Sequence, residues 1–389
     1  MKERVAKHVA ELPKSGIRKF FDIVAQSKDI VSLGVGEPDF DTPWHISRAA
    51  VTCLENGGTH YTSNLGTPAL RQAIVRYLER RFAATFDWQK EVLVTVGVSE
   101  AIDLAIRAIC SPGDEVLYHE PCFVSYAPTI RLAHAVPVCV ETRAEDAFRL
   151  TVEQMEKKVT PKTKAVLLNF PCNPTGATLS ADDMRAILAF AKKHDLIVLA
   201  DEVYSELNYE VAEGALTSFA SFAEYRDNVI LLNGFSKSWA MTGYRLGYAC
   251  GPNDIIDAMM KIHQYGIMSA PTLSQAAGVE AMDRGDKDVA RMRREYKRRR
   301  DFLVPALQAM GLKTVMPKGA FYVFPDIGST GLDDETFALK LLKEFGVACV
   351  PGSAFGACGK GFVRMSYATS LEKIELAVDR MGKMIGKGN

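Results

Sequence analysis

The sequence lacks an excess of either charge. Lysine and arginine together number 47, aspartate and glutamate also number 47, and the formal net charge at pH 7 is zero. Long-range attraction to a nucleic-acid backbone or to an anionic membrane is therefore not expected, because both need a basic excess. The one basic run, residues 291–300, is interpreted as the solvated face of a helix with Glu295 and Asp301 as acidic neighbours.

Long apolar runs and patterned metal or disulfide ligands are lacking too. No stretch approaches the roughly 18 consecutive apolar residues of a membrane-spanning helix, and the mixed charge at the start does not resemble a secretory signal. The eight cysteines contain no C-x-x-C pair and the seven histidines form no H-E-x-x-H motif. We therefore expect a cytoplasmic protein with reduced thiols and no membrane, nucleic-acid or metal partner.

The chain is long enough for two domains, since 389 residues exceed what one hydrophobic core usually supports. From about residue 90 to 250, short apolar strands alternate with helices, including a helix predicted over 122–133; this predicts an α/β fold with a mainly parallel sheet. Beyond residue 285 the pattern predicts an α+β arrangement. Its strands are expected at 313–315, 320–324, 347–350 and 362–366. We expect a large domain at 45–285 and a small domain formed by 1–44 and 286–389.

Polar side chains follow several predicted strands at their carboxyl ends, where ligands collect in parallel sheets. Asp201 ends one apolar run, and Tyr204 follows three residues later. A carboxylate there is costly without a cationic partner, and a protonated pyridine nitrogen would be one. Taken alone, Asp201 is more typical of a helix N-cap or a structural ion pair.

Lys237 lies in another loop that follows a strand, with Ser236 before it and Arg245 eight residues later. A lysine among apolar groups has a lowered pKa and is a competent Schiff-base nucleophile. The neighbouring guanidinium and hydroxyl could bind a phosphate dianion. Without this context, a lysine in a loop is ordinarily a surface residue.

Two further loops complete the pattern. The N-P-T-G segment at 173–176 projects the Asn173 amide inward, and Gly97–Val98–Ser99–Glu100 opens a helix whose backbone N–H groups, with the Ser99 hydroxyl, form an anion site. Each motif is ambiguous alone. Together they supply a lysine, a partner for a ring nitrogen, partners for a ring oxygen and a phosphate site, which is the ligand set that one cofactor needs.

In these motifs and their order, the chain resembles the class I aminotransferases of the aspartate-aminotransferase superfamily, which are fold-type-I pyridoxal 5′-phosphate (PLP) enzymes. The resemblance extends from Ser15–Arg18 to the final helix. It implies a mainly parallel seven-stranded sheet in the large domain and a smaller α+β domain. It also implies that Lys237 forms a Schiff base with PLP, that Asp201 faces the ring nitrogen, and that Tyr204 and Asn173 share the ring oxygen.

The resemblance assigns further residues by position. The residues expected to bind the cofactor are Val98, Ser99, Glu100, Phe123, Asn173, Asp201, Val203, Tyr204, Ser236, Lys237, Arg245 and Tyr61. Phe123 would stack on the ring, and Tyr61 would reach the phosphate of a neighbouring subunit, which implies a homodimer with shared active sites. For the substrate, Arg364 would bind the α-carboxylate through its planar fork, with Gly36 offering its amide, Asn173 beside them and Ile17 lining the pocket.

The activity implied by the resemblance is ping-pong transamination from an L-amino acid to a 2-oxo acid, expected to be 2-oxoglutarate. Lys237 would act as the general base at Cα. Relatives specific for dicarboxylates supply a distal arginine from about 262–270, where this sequence has no Lys or Arg. The nearest branch acts on aromatic amino acids, aspartate or N-acetyl-diaminopimelate; Tyr126 would line such a pocket.

Two alternatives use the same cofactor residues. One is a β-eliminating C–S lyase on this fold, since fold and cofactor do not fix the reaction. The other is a non-enzymatic PLP-binding regulatory module of the kind fused to DNA-binding domains. It is less expected because the chain shows neither an additional helix-turn-helix segment nor a basic excess.

Overall fold

A computed structural model describes residues 4–12, 29–211 and 216–386. Its helices are α1 (Lys7–Ala10), α2 (Trp44–Glu55), α3 (Pro68–Phe82), α4 (Gly97–Ile109), α5 (Tyr126–Leu132), α6 (Val152–Glu156), α7 (Ala181–Lys193), α8 (Asn253–Gly266), α9 (Thr272–Arg284), α10 (Asp286–Ala309), α11 (Asp334–Phe345) and α12 (Leu371–Ile385). Its strands are β1 (Val31–Ser32), β2 (Val92–Thr95), β3 (Glu115–Glu120), β4 (Val136–Glu141), β5 (Thr163–Asn169), β6 (Ile197–Asp201), β7 (Val229–Gly234), β8 (Gly247–Cys250), β9 (Tyr322–Val323), β10 (Val347–Ala348), β11 (Val350–Pro351) and β12 (Val363–Ser366). None of these helices is both long and apolar enough to cross a membrane.

The central sheet has seven strands in the order β2-β8-β7-β6-β5-β3-β4. Neighbouring strands from β7 to β4 pair in parallel, and only β8 runs antiparallel to its two neighbours. This confirms the predicted α/β class and mainly parallel sheet. The edge strand β4 was missing from the strands predicted from the residues, because Pro137 and its partly exposed neighbours weaken the apolar pattern.

Two predicted elements differ from the structure. The helix predicted over 122–133 begins only at Tyr126, because the Cys122 backbone N–H donates to the Phe355 carbonyl at 3.1 Å instead of following helical geometry. The strand predicted at 313–315 is wrong: Lys313 forms only an isolated bridge with Asp326. Both outcomes depend on contacts with residues far away in the sequence.

The remaining strands form two small sheets, β1 paired with β10 and β11-β12-β9. A separate hydrophobic cluster packs around them and includes Leu303 from α10, Leu341 from α11 and Ile374 from α12, all fully buried. The long helix and the terminal helix predicted from the sequence are both present. The division into 45–285 and 1–44 with 286–389 stays a prediction.

Parallel pairing places several loops at one edge of the large sheet. Asn169 at the end of β5 pairs in register with Asp201 at the end of β6, and β7 ends beside them. The start of α4 fits against this edge because Gly247 has no side chain. A Cβ at Gly247 would lie 2.5 Å from the Gly97 carbonyl carbon and 2.7 Å from the Val98 nitrogen.

Candidate active site

A cavity of about 400 Å³ lies at the carboxyl ends of β5, β6 and β7. This volume is in the range of small-molecule sites. Its walls are formed by Gly36, Glu37, Val98, Ser99, Ile102, Phe123, Asn169, Asn173, Asp201, Val203, Tyr204, Ser236, Lys237, Thr242, Arg245, Tyr322 and Arg364. Every site residue expected from the sequence is in this set except Glu100, Tyr61 and Ile17.

Lys237 reaches the cavity from the loop after β7, and its Nζ donates to the Gly36 carbonyl at 2.7 Å. Burial lowers the pKa of Lys237 to about 8; the carboxylate of Glu37 opposes this fall, and the cations Arg364 and Arg245 add to it. A lysine with this pKa has a sizeable fraction of neutral, nucleophilic amine near neutral pH.

Asp201 ends β6 and is buried. Its Oδ2 accepts from the Tyr126 hydroxyl at 2.7 Å and its Oδ1 from the Val203 backbone N–H at 3.2 Å. Burial raises the pKa of Asp201 to about 6 despite these two hydrogen bonds. Within the described residues no cationic side chain forms an ion pair with it. The expectation that Tyr126 lines the pocket is wrong: it lies behind Asp201, because its hydroxyl takes the carboxylate as its partner.

Asn169 is a cavity residue that was not predicted. Its side-chain amide donates to the Asp201 carbonyl at 3.0 Å, and its Oδ1 accepts from the Asn173 backbone N–H at 3.0 Å. Asn169 therefore links two of the expected site residues. The signal in the sequence was available, since Asn169 ends an apolar strand just as Asp201 does.

Tyr322, on β9, was also missed. Its hydroxyl lies 2.8 Å from that of Tyr204, and both side chains are buried. A Cβ at Gly36 would approach the Tyr322 hydroxyl to 2.6 Å, so a side chain there would force the buried Tyr322 to move. The order of residues along the chain gives no indication of this contact.

Arg364, on β12, is buried at the cavity wall. Its guanidinium donates to Asn173 Oδ1 at 2.9 Å and to the Gly34 carbonyl at 2.6 Å, and it lies 4.6 Å above the Tyr322 ring. Its Nε is buried without a hydrogen-bond partner, and no carboxylate of the described residues pairs with it. Burial lowers the pKa of Arg364. A bound anion would compensate this charge.

The start of α4 and Arg245 form a positively polarised corner of the cavity. The first turn of a helix has backbone N–H groups without intrahelical partners and attracts anions. Gly97 has φ +74°, and a Cβ there would lie 2.8 Å from a guanidinium nitrogen of Arg245. Arg245 itself has φ +49° and donates to the Thr242 carbonyl at 3.0 Å.

Three expected site residues are not among the wall residues named above. Glu100 is expected to bind through its backbone N–H in the first turn of α4; its carboxylate accepts from the Val96 N–H and lies 2.7 Å from the ring of the buried His263. Tyr61 is 80% exposed and borders a separate surface hollow with residues 269–272. Ile17 lies outside the described residues. The roles expected for these three stay predictions.

Comparison with known proteins places these features in a family. Residues 28–381 match the family described as aminotransferase class I and II. An aspartate aminotransferase of Pyrococcus abyssi is 48% identical over 95% of both chains, and aromatic-amino-acid aminotransferase 2 of Thermococcus litoralis is 44% identical over the same shares. The crystal structure of an aromatic aminotransferase from Pyrococcus horikoshii matches with a TM-score of 0.90 at 44% identity, over 95% of this chain and 99% of that one.

Proposed function

This chain belongs to the aminotransferase class I and II family and is a PLP-dependent aminotransferase, and we propose that its preferred amino donors are aromatic L-amino acids, with 2-oxoglutarate as acceptor. The single observation behind the donor preference is the set of charges on the cavity wall. The described lining contains three cations, Lys237, Arg245 and Arg364, and each is accounted for by cofactor or α-carboxylate binding.

The residues of the cavity fit PLP. Asp201 is a buried carboxylate that forms no ion pair with a described cationic side chain, so a protonated ring nitrogen would offset its burial. The first turn of α4, with Ser99, Ser236 and Arg245, would bind the phosphate. When bound, PLP supplies an electron sink for the negative charge that develops at the substrate Cα.

The protein supplies binding, orientation and proton transfer. Lys237 would attach the cofactor and then move the Cα proton, for which its lowered pKa suits it. Asp201 would keep the ring nitrogen protonated, and Tyr204 and Asn173 would donate to the ring oxygen. Arg364 would orient the α-carboxylate through two parallel hydrogen bonds, and Phe123 would cover the ring and exclude water.

The space left for the donor side chain is largely apolar. Ile102, Phe123 and Tyr322 contribute hydrophobic surface. The cavity wall also carries two acids, Asp201, which would face the ring nitrogen, and Glu37, which accepts from the Thr242 hydroxyl. Among the described wall residues, a second carboxylate on the substrate would meet Glu37 without a further cation to pair with, whereas an aromatic ring would bury apolar area. The segment 262–270 also provides no Lys or Arg.

Steady-state kinetics with single donors test this proposal. The purified protein is first scanned for the absorbance band of the bound cofactor. The change in this band is then followed on addition of phenylalanine, tyrosine or aspartate, and afterwards of 2-oxoglutarate, before kcat/KM is measured for each donor. We expect the aromatic donors to exceed aspartate at least tenfold in kcat/KM. A higher kcat/KM for aspartate would overturn the donor preference, and release of ammonia and pyruvate from a donor with a β-leaving group would indicate the lyase.

We also propose that the protein is a cytoplasmic homodimer. Two neighbouring segments expose large side chains: Tyr61 and Tyr265 are 80% and 88% exposed, and Ile267 is about half exposed. The Asn64 side-chain amide donates to the Met268 carbonyl at 2.9 Å, so the segment around Tyr61 and the segment around Ile267 form one surface. Burial of this surface against a second copy would remove apolar area from water. Light scattering after size exclusion should give twice the mass of the chain; a monomer at micromolar concentration would contradict the proposal.

A further inference from the structure

Three potential metal ligands meet outside the cavity. Glu120 is the last residue of β3, Cys139 is in the neighbouring strand β4, and Cys358 is in the short turn 357–359 that follows β11. A carboxylate oxygen of Glu120 and the two sulfur atoms all lie within 4.8 Å of one another. All three residues are half-buried. No sequence motif indicated this group, because its members come from three separate segments.

We propose that Glu120, Cys139 and Cys358 form a zinc-binding site. In a tetrahedral zinc site the sulfur and oxygen ligands lie about 2.0–2.3 Å from the metal, and therefore roughly 3.5–4 Å from one another. The observed spacing allows this with small side-chain movements. Two thiolates favour a soft or borderline ion such as Zn²⁺ over Mg²⁺ or Ca²⁺, and water would be the fourth ligand.

The carboxylate of this group is held in place by its own hydrogen bonds. The Tyr118 hydroxyl donates to one oxygen of Glu120 at 2.7 Å, and the Ala357 backbone N–H donates to the other at 2.9 Å. Each carboxylate oxygen retains a lone pair for a metal, and hydrogen bonds of this kind orient ligands in metal sites.

The backbone next to Cys358 passes close to the Glu120 carboxylate. Gly356 has φ +114°, and a Cβ there would lie 2.3 Å from the Glu120 carboxyl carbon. Only glycine lets this turn pass so close to the carboxylate, and the turn brings Cys358 over the edge of the sheet. Zinc binding would release the protons of both thiols, and Zn²⁺ with the two thiolates and the carboxylate would together carry one negative charge.

The site would connect zinc to the substrate-binding arginine. Phe355 precedes the same turn, its ring lies 4.9 Å from the Arg364 guanidinium, and its carbonyl accepts from Cys122 at 3.1 Å. A metal bound by Glu120, Cys139 and Cys358 would fix this segment against the sheet. Loss of the metal is therefore expected to raise the KM for the amino donor about threefold, with a smaller change in kcat.

Equilibrium dialysis of the reduced holoenzyme against zinc chloride, followed by elemental analysis, tests the proposal. We expect stoichiometric zinc with a Kd in the micromolar range or tighter, and a loss of at least tenfold in affinity for Cys139→Ser and Cys358→Ser. Cys110→Ser is the matched control, since Cys110 is also half-buried but outside the group; it should bind zinc as the unmodified protein does. If the serine variants do not fold, Glu120→Gln is used in their place, and it should also lose at least tenfold in zinc affinity.

Two results would overturn the proposal. One is zinc affinity that is weak in the unmodified protein or equal in all variants. The other is peptide mapping without reductant that shows a Cys139–Cys358 disulfide while the reduced protein fails to bind zinc; the pair would then be a redox pair and not a metal site. Neither result bears on the donor preference, which is measured separately with the cofactor bound.

Discussion

The Tyr126 hydroxyl donates a 2.7 Å hydrogen bond to the Asp201 carboxylate, and both side chains are buried. This bond is one of two that stabilise the charged form of Asp201 in a site where burial raises its pKa to about 6. Tyr126 is not among the residues that line the cavity, so it would act on a bound cofactor through Asp201. It is a positioning residue, and the proposed role of Asp201 makes its contribution measurable.

Tyr126→Phe should lower kcat/KM roughly 10- to 150-fold, because a hydrogen bond to a charged group contributes roughly 1.5–3 kcal/mol. Without this donor the pKa of Asp201 rises further, so the acid limb of the pH–rate profile should move to higher pH. Tyr248→Phe is the control, since its buried hydroxyl has no hydrogen-bond partner among the described residues. An unshifted acid limb would show that Tyr126 only fills space.

Asp201→Asn should stabilise the cofactor-free protein at pH 8. The folded-state pKa of Asp201 is raised from 3.8 to about 6, so the folded state binds the proton more tightly and stability falls as pH rises from about 4 to 6. Above pH 6 the free energy of unfolding is lower by at most about 3 kcal/mol because Asp201 is then charged, and asparagine avoids this loss because it carries no charge. Urea unfolding should show a higher free energy of unfolding for Asp201→Asn than for the unmodified protein at pH 8 but not at pH 4. With PLP bound, the unmodified protein should be the more stable of the two. Equal gains for the variant at both pH values would contradict this.

Lys237→Ala should abolish transamination, with a loss of at least about a thousandfold, because both the attachment point and the proposed proton carrier are removed. Cofactor should still bind through Arg245 and the start of α4, although more weakly. Lys261→Ala, which removes an exposed lysine paired with Asp257, is the control. Substantial residual turnover in single-turnover assays would refute the role of Lys237.

Arg364→Lys should lower kcat/KM about a hundredfold. Lysine keeps the charge but cannot make two parallel hydrogen bonds to a carboxylate, and it loses the contact with the Tyr322 ring. The control uses a different substrate, an aromatic amine without the α-carboxylate. This amine should react slowly with both proteins, and its kcat/KM should be the same for the unmodified protein and for Arg364→Lys. The same hundredfold loss with this amine would indicate that the substitution disturbs the fold.

Gly36→Ala should lower activity, because its Cβ would lie 2.6 Å from the Tyr322 hydroxyl. Tyr322→Phe removes that oxygen, and the next ring atom lies 3.5 Å away, at ordinary contact distance. The double variant should therefore recover part of the loss, with a coupling of about 1–3 kcal/mol in a double-mutant cycle of kcat/KM. Strictly additive effects would mean that the contact is not the cause.

The sequence predicted the fold class and most of the residues that the structure places around the cavity. Asp201, Lys237 and Asn173 could be identified because each follows an apolar strand, and in a parallel sheet the carboxyl ends of strands share one edge. The family resemblance added Arg364, which no local pattern indicated. The first three inferences rely on the local sequence pattern of strand and loop, whereas Arg364 relies on the resemblance.

Tertiary structure decided what depends on contacts between distant segments. Tyr322 reaches Tyr204 and Gly36 only because β9 packs beside the cavity, and Tyr126 turns from the expected pocket toward Asp201. The meeting of Glu120, Cys139 and Cys358 likewise follows from the path of the turn after β11 over the sheet edge. A sequence pattern specifies which face of an element is apolar, but the partner of a buried polar group is set by the packing of the whole chain.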